Sequence, residues 1–451
     1  MLNQTSSHIL TFLPVTVIFE PTFPLFLRHE WIRNIFITTM ICASISSVAD
    51  SAAVFRRRSS EIHQKDRNIF SPTSAQFSNE LYSPKCMVSE SLSISTGAVP
   101  WITVDLDLPP KLRFQKAYGP FAEDTREVIG IVKSFIRSLL GQFTVKMVEK
   151  LMTKAHAELF PSPYKEEIEG IAEATGVSVG DLAMLNIFYE LSRFCTSIVA
   201  EADDGRLYHA RNLDFGQLFG WNSSTHTWTL TEALKKITLN VDYMRGGNLL
   251  FKGTTFAGHV GIITGMKPNA FTISINSKLK PDLKNLMHWL TGIFVENNSE
   301  GTHFVLWSER EALTNCNTYE EAKRYLSTVK LLAGCYFILG GRYSGEGVVI
   351  VRTPDATQQY VELDPEKGKW FLLQTNYDPP ERPFFLDNRS EPGMKCMREL
   401  GPNGLTLAGL YKVLSSKTTL NKTTVHTVIM EISSGAYQTF IQKCPDPCWF
   451  I

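Results

Sequence analysis

The chain has 451 residues, 43% of them hydrophobic and 11% aromatic, enough apolar side chain to bury a large core, which excludes disorder for most of its length. Lys plus Arg and Asp plus Glu number 45 each, so no global field recruits nucleic acid or an anionic membrane, and any partner must be recognised locally. Eight cysteines are present, none in the paired CxxC or Cys/His spacing of a zinc site, so the sequence predicts neither a metal nor another cofactor.

Residues 1–52 read as a leader, because "NIFITTMICASISSVADSA" places small residues behind an apolar core as a signal peptide does. An uncleaved interfacial segment is the alternative, since the stretch ahead of that core is long for a signal peptide. Residues 53–84 are polar, Ser-rich and without periodicity, as expected of a loose linker or pro-segment. "GAVPWITVDLDLPP" then alternates as a strand closed by prolines. From Thr125 to Phe160 apolar residues recur three and four apart, with Lys133, Arg137, Lys146 and Lys150 between them, which predicts amphipathic helices. A second helical pair is expected between Tyr164 and Leu191, broken at "TGVSVGD", where Ser178 and Asp181 offer caps.

At Cys195 the pattern changes to strands. "CTSIVAEADDGRLYHARNLDF" reads as a hairpin turning at Asp204 and Gly205, and "ITLNVDYMRGGNLLFKGTTF" as another turning at Gly246 and Gly247. "GHVGIITGMKPNAFTISIN", "CYFILGGRYSGEGVVIVR" and "YVELDPEKGKWFLLQTNY" continue in the same way, with "EEAKRYLSTVK" as a short helix between strands. Helices followed by a strand-rich body give an α+β layered fold: a helical part over residues 85–194 and a strand-rich part over 195–451. N-x-S/T sequons at Asn222, Asn297, Asn388 and Asn421, together with one at Asn3 and the tail "CPDPC", favour the secretory pathway. Cys444 and Cys448 in that tail suit a small disulfide loop, with two free thiols as the alternative. No further apolar run is long enough to span a membrane.

A thiol is nucleophilic as a thiolate and needs a base and positive charge nearby. A cysteine that opens a strand obtains both if the bond between Phe194 and Cys195 is cut, because the new α-amine then lies beside the sulfur. On spacing alone, a cysteine opening a buried strand is more often a small core hydrophobe.

The ordered motifs "NIFYEL", "CTSIVAE", "ARNLDFG", "FAGHVGIITG", "YFILGG", "GEGVVI", "QTNYD", "RPFFLDNR" and "CPDPC" decide between these readings. Their order and spacing resemble the acid ceramidase family, which includes N-acylethanolamine acid amidase, from about Lys85 to Cys448. The resemblance implies the αββα sandwich of N-terminal nucleophile hydrolases and self-cleavage immediately before the nucleophile. Cys195 would be both cleavage point and nucleophile, with Phe194 on the other side of the cut. Arg211 would favour the thiolate and Asp214 would orient the amine. Asn376 would present its amide to the oxyanion, and Arg389 would complete the polar pocket. Cys86 and Cys396 match the positions that tie the two cleavage products together, with Cys444 and Cys448 closing the tail; Cys316 and Cys335 would be buried thiols. His209 and His259 read as structural histidines, because the amine supplies the proton acceptor. Asn388 precedes Arg389, so its sequon is expected to stay unoccupied or the two side chains to diverge.

One departure from the family stands out: "INSK" replaces the family's "LNER", so Ser277 takes the place of a glutamate while Asn276 remains. An α-amine titrates near pH 8 and a free thiol near about 8.5, so activity in acid calls for an ammonium–thiolate pair beside Arg211. The reading that follows is a lysosomal, partly secreted amidohydrolase. It would cleave ceramide to sphingosine and fatty acid through a Cys195 thioester. The alternatives are an N-acylethanolamine amidase and a catalytically silent lipid-binding protein. The helices before Cys195 would either pack on the sheet or offer a surface to a membrane or a saposin. Nucleic acid is not an expected partner.

Overall fold

A computed structural model of the protein describes residues 85–90, 99–191, 194–216, 220–278, 283–293, 301–378, 381 and 387–449. The leader, the linker, Cys42, Asn3 and the sequon at Asn297 lie outside these residues.

Two stacked sheets carry the fold. The smaller has five strands in the order β13-β2-β3-β14-β15, formed by Phe371–Gln374, Phe194–Glu201, Leu207–Asp214, Thr424–Glu431 and Ala436–Ile441. The larger has eight. Its strands are β1 (Trp101–Asp105), β6 (Thr238–Arg245), β7 (Asn248–Phe256), β8 (Thr264–Lys267), β9 (Phe271–Ser277), β10 (Cys335–Gly341), β11 (Gly347–Arg352) and β12 (Thr357–Glu362), in that spatial order. A minor hairpin, β4 (Trp221–Asn222) with β5 (Thr227–Trp228), projects between β3 and the next helix.

The hairpin turns lie where glycine permits them: Gly205 has φ +79° between β2 and β3, a conformation in which a side chain is strained. One connection differs from the sequence expectation. "YVELDPEKGKWFLLQTNY" is not a hairpin within one sheet, because β12 ends the large sheet and β13 begins the small one. The chain therefore crosses between layers at residues 363–370, and the loop after β13 meets the start of β2.

Before Cys195 the predicted helices form as α1 (Ala122–Leu140), α2 (Gln142–Leu159), α3 (Tyr164–Thr175) and α4 (Val179–Leu191). Ser178 caps α4, its Oγ accepting from Asp181 N at 3.1 Å, whereas the Asp181 carboxylate pairs with Lys133 Nζ across the helices. After β5 come α5 (Thr229–Lys236), α6 (Leu283–Thr291), α7 (Val305–Asn315), α8 (Tyr319–Thr328), α9 (Ser390–Leu400) and α10 (Leu407–Leu414). Helices α7 and α8 pack on the large sheet and α9 and α10 on the small one, giving the αββα sandwich. Among the described residues no helix is long and apolar enough to cross a membrane.

The segment before Cys195 shares its core with the segment after it. β1 pairs with β6 in parallel, and Val128, Ile168, Leu182 and Leu185 join Cys195, Leu213, Phe256 and Trp307 in one apolar cluster. A disulfide joins Cys86 to Cys396, 310 residues apart, and a second closes Cys444 to Cys448. Cys316 and Cys335 are buried thiols.

Candidate active site

β2 and β3 are central strands covered on both sides, so every residue from Cys195 to Glu201 and from Leu207 to Asp214 is buried. Their polar residues therefore point into the interior, where each must find a partner. Register decides which. Cys195 lies opposite Leu213, and Ser197 opposite Arg211. Odd-numbered residues of both strands face the large sheet, and even-numbered ones face α9 and α10.

Arg211 thus shares a face with Cys195. Its Nη2 lies 2.8 Å from Cys195 Sγ and 3.1 Å from the Ile275 carbonyl, and its Nη1 donates to Thr264 Oγ1 at 3.1 Å. Asp214, three residues on, falls on the opposite face and makes its ion pair with Arg389 instead. Arg389 Nη1 approaches Asp214 Oδ2 at 3.2 Å, and Thr424 Oγ1 donates to Asp214 Oδ1 at 2.6 Å. Burial pushes the Asp214 carboxyl up to about 6, against the opposing pull of Arg389 and of the Thr424 hydrogen bond.

Arg389, at the N-terminus of α9, is fully buried and gathers the site. Its Nη1 donates to the Cys195 carbonyl at 2.6 Å, its Nη2 to Asn376 Oδ1 at 2.8 Å, and its Nε to Asp387 Oδ1 at 2.6 Å. Burial alone would lower its pKa, but Asp387 first and then Asp214 and Cys195 hold it above the ordinary arginine value. The ring of Phe194 sits 5.5 Å from the same guanidinium.

β13 pairs with β2 through Gln374 and Ser197, and the same register continued two residues further sets Asn376 against Cys195. Asn376, expected to present its amide to an oxyanion, engages backbone groups in the uncut chain. Its Nδ2 donates to the Ser277 carbonyl at 2.7 Å, while its Oδ1 accepts from Cys195 N at 2.8 Å as well as from Arg389. In the uncut chain Asn376 therefore holds the backbone nitrogen of Cys195. The part played by Ser277 in that grip is its carbonyl; its Oγ, although buried, has no hydrogen-bond partner.

His209 and His259 are buried, as a structural reading of both requires. His209 is held between Thr272 Oγ1 at 2.9 Å and Ser274 Oγ at 2.8 Å, and the His259 carbonyl accepts from Tyr118 Oη at 2.9 Å. Another buried histidine, His426, was not singled out by the sequence. The register of β14 against β3 shifts between Thr424 and His426, so that Thr424 reaches Asp214 while His426 lies opposite Leu213, in the same row as Cys195. Burial, and secondarily Arg211, holds its pKa well below the ordinary histidine value. Asp387 was also missed, although it stands two residues before Arg389 in a quoted motif. Thr424 carried no local signal, since its place depends on that register shift.

The sequons separate by burial. Asn222 is exposed on the β4–β5 hairpin. Asn388 precedes α9 on the surface, its Nδ2 donating to Glu391 Oε2 at 2.7 Å and its Oδ1 accepting from Glu391 N at 3.2 Å, while Arg389 turns inward, so the two side chains diverge. Asn421 is only 1% exposed and its Oδ1 accepts from both N and Oγ1 of Thr423. That leaves no room for a glycan in the folded chain, and the expectation at Asn421 is corrected. Among the described residues no three His, Cys, Asp or Glu side chains gather as a metal-binding group.

The chemistry available is that of a buried thiol beside one guanidinium, with a second guanidinium and two carboxylates around its backbone. Comparison with known proteins agrees in kind. The linear amide C–N hydrolases of the choloylglycine hydrolase family match residues 195–380, and the beta subunit of N-acylethanolamine-hydrolyzing acid amidase matches residues 97–158. A probable acid ceramidase of Caenorhabditis elegans is 43% identical over 392 residues, covering 86% of this chain and 95% of the relative. The acid ceramidase of Bos taurus is 40% identical over 356 residues, covering 78% and 88%. Among solved structures, a Caenorhabditis elegans ortholog of N-acylethanolamine-hydrolyzing acid amidase is 29% identical, with a TM-score of 0.45 over 55% of this chain and 100% of that one.

Proposed function

The chain belongs to the acid ceramidase family, and we propose that it hydrolyses the amide of ceramide to sphingosine and a free fatty acid after cutting itself between Phe194 and Cys195. The observation that carries this reading is the 2.8 Å approach of Arg211 Nη2 to Cys195 Sγ in a fully buried site. The start of the hydrolase match at residue 195 supports it.

Maturation proceeds by two bond exchanges. Cys195 Sγ attacks the Phe194 carbonyl carbon, the peptide nitrogen leaves as an amine, and a thioester forms. Water then hydrolyses the thioester, giving a Phe194 carboxylate and a Cys195 that carries both thiol and amine. The products are a chain ending at Phe194 and another over residues 195–451, tied by Cys86–Cys396. Asn376, on the Cys195 nitrogen, holds the peptide that is cut, and Arg389, on the Cys195 carbonyl, holds the peptide after it.

Turnover repeats the exchange on substrate. The thiolate attacks the acyl carbon, the Cys195 amine delivers the proton that lets the sphingoid amine depart, and water releases the fatty acid from the acyl thioester. Arg211 beside the sulfur favours the thiolate, and the new ammonium pairs with it. The reading places the enzyme in the lysosome, partly secreted, with a membrane surface or a saposin presenting the lipid.

The test is hydrolysis of ceramide by the mature protein with N-acylethanolamine as competitor. Release of sphingosine that is only weakly inhibited supports the ceramidase. Preferential hydrolysis of the ethanolamide would favour the amidase reading, for which the match over residues 97–158 speaks. Binding of either lipid without turnover would leave a silent binding protein.

A further inference from the structure

We propose that His209 is a positioning residue, holding the strand ends that carry Asn376 and Asn276 against Cys195 through one oriented chain of hydrogen bonds between the two sheets. The inference concerns the reaction proposed above and rests on that reading.

The direction of the chain follows from donor and acceptor counts. At one end Asn276 Nδ2 donates to the carbonyls of Gln374 at 2.8 Å and Thr375 at 3.1 Å, so its Oδ1 is left as an acceptor. Ser197 Oγ donates to that oxygen at 2.8 Å. Having one proton, Ser197 must accept from its other neighbour, and Ser274 Oγ donates to it at 2.9 Å. Ser274 in turn must accept, which requires a proton on His209 Nε2, 2.8 Å away. A neutral ring then leaves Nδ1 as an acceptor, and Thr272 Oγ1, 2.9 Å away, shares its one proton between that nitrogen and the Gly340 carbonyl at 3.2 Å. Burial, and secondarily the neighbouring Arg211, pushes the His209 pKa down to about 3, so the ring stays neutral in mild acid.

Each member is buried, so breaking one link strands its neighbours unsatisfied. The far end is the loop after β13, which Asn276 ties down at Gln374 and Thr375, one residue before Asn376. Asn376 holds Cys195 N, and Arg211 stands between His209 and Leu213 on the same face of β3. His209 touches none of the reacting atoms. It sets where the group that grips the nucleophile's nitrogen can stand.

His209→Leu removes both contacts, whereas His209→Gln keeps one donor and one acceptor at similar reach. Ser274→Ala breaks the chain with little change of volume and serves where the leucine variant does not fold. The expected result is a loss of about tenfold or more in both self-cleavage and kcat for His209→Leu and Ser274→Ala, with KM within about twofold and most of the rate restored by His209→Gln. Wild-type rates in Ser274→Ala, or a glutamine variant no better than leucine, would overturn the proposal. A second readout needs no substrate: in the Cys195→Ala chain with ¹⁵N-labelled histidine, His209 should be the neutral Nε2–H tautomer at about pH 4.5. An imidazolium or an Nδ1–H tautomer would overturn the chain's direction. If wild type neither cuts nor hydrolyses while this signature holds, the proposed function fails and the positioning geometry stands.

Discussion

Lowering the pH from 7 to 4.5 should cost the folded protein about 3 kcal/mol through the His209 ring alone. The unfolded ring takes up a proton near its ordinary 6.5, but the buried ring holds off to about 3. Between those values the unfolded state binds the extra proton, so stability present above about 6.5 is progressively lost as pH falls, at about 1.4 kcal/mol per unit. Two units of that window lie above pH 4.5. Asp214 works in the other direction. Its carboxyl is pushed up to about 6 from 3.8, so the folded state binds the extra proton there, and stability of about 2 kcal/mol returns over the same acidification. His209→Gln removes the first effect and leaves the second. Thermal unfolding of Cys195→Ala and Cys195→Ala/His209→Gln at the two pH values measures the difference, and the double variant should lose roughly 3–5 °C less on acidification. Equal losses in the two proteins would refute the neutral buried ring.

Arg211→Leu should raise the midpoint of Cys195 alkylation against pH by about one to three units, because the guanidinium beside the sulfur favours the thiolate; an unmoved midpoint would remove Arg211 from that role. In secreted protein, Asn222→Gln should remove one glycan's mass and Asn421→Gln none, as intact-mass measurement will show. Cys86→Ser should still yield both cut chains, but these should separate on a non-reducing gel where those of wild type migrate together.

Much of the fold was legible because its local signals were strong. Gly205 and the Gly246–Gly247 pair fixed hairpins that formed, and the three-and-four spacing from Thr125 to Phe160 gave the two amphipathic helices. The crossing between β12 and β13 was not legible, since "LDPEKGK" is equally good turn chemistry within one sheet or between two. The site was readable where residues are near in sequence, as Cys195 and Arg211 are, on facing strands of one hairpin. That Asp214 serves Arg389 rather than Arg211 depends on strand period, which places residues three apart on opposite faces. Asn376 was named from the family motif for an oxyanion; that it grips the Cys195 nitrogen in the uncut chain depends on the Ser277 carbonyl, and a main-chain acceptor leaves no trace in residue type. His426 and Thr424 reach the site only because the β14 register shifts between them.

The central claim, a nucleophile freed by self-cleavage, is tested most directly by intact mass and N-terminal sequence of the protein after incubation at about pH 4.5, beside Cys195→Ala. The account predicts a fragment beginning Cys-Thr-Ser-Ile in wild type and an uncut chain in the variant. Wild type that stays uncut, or a variant cut at the same bond, would contradict it.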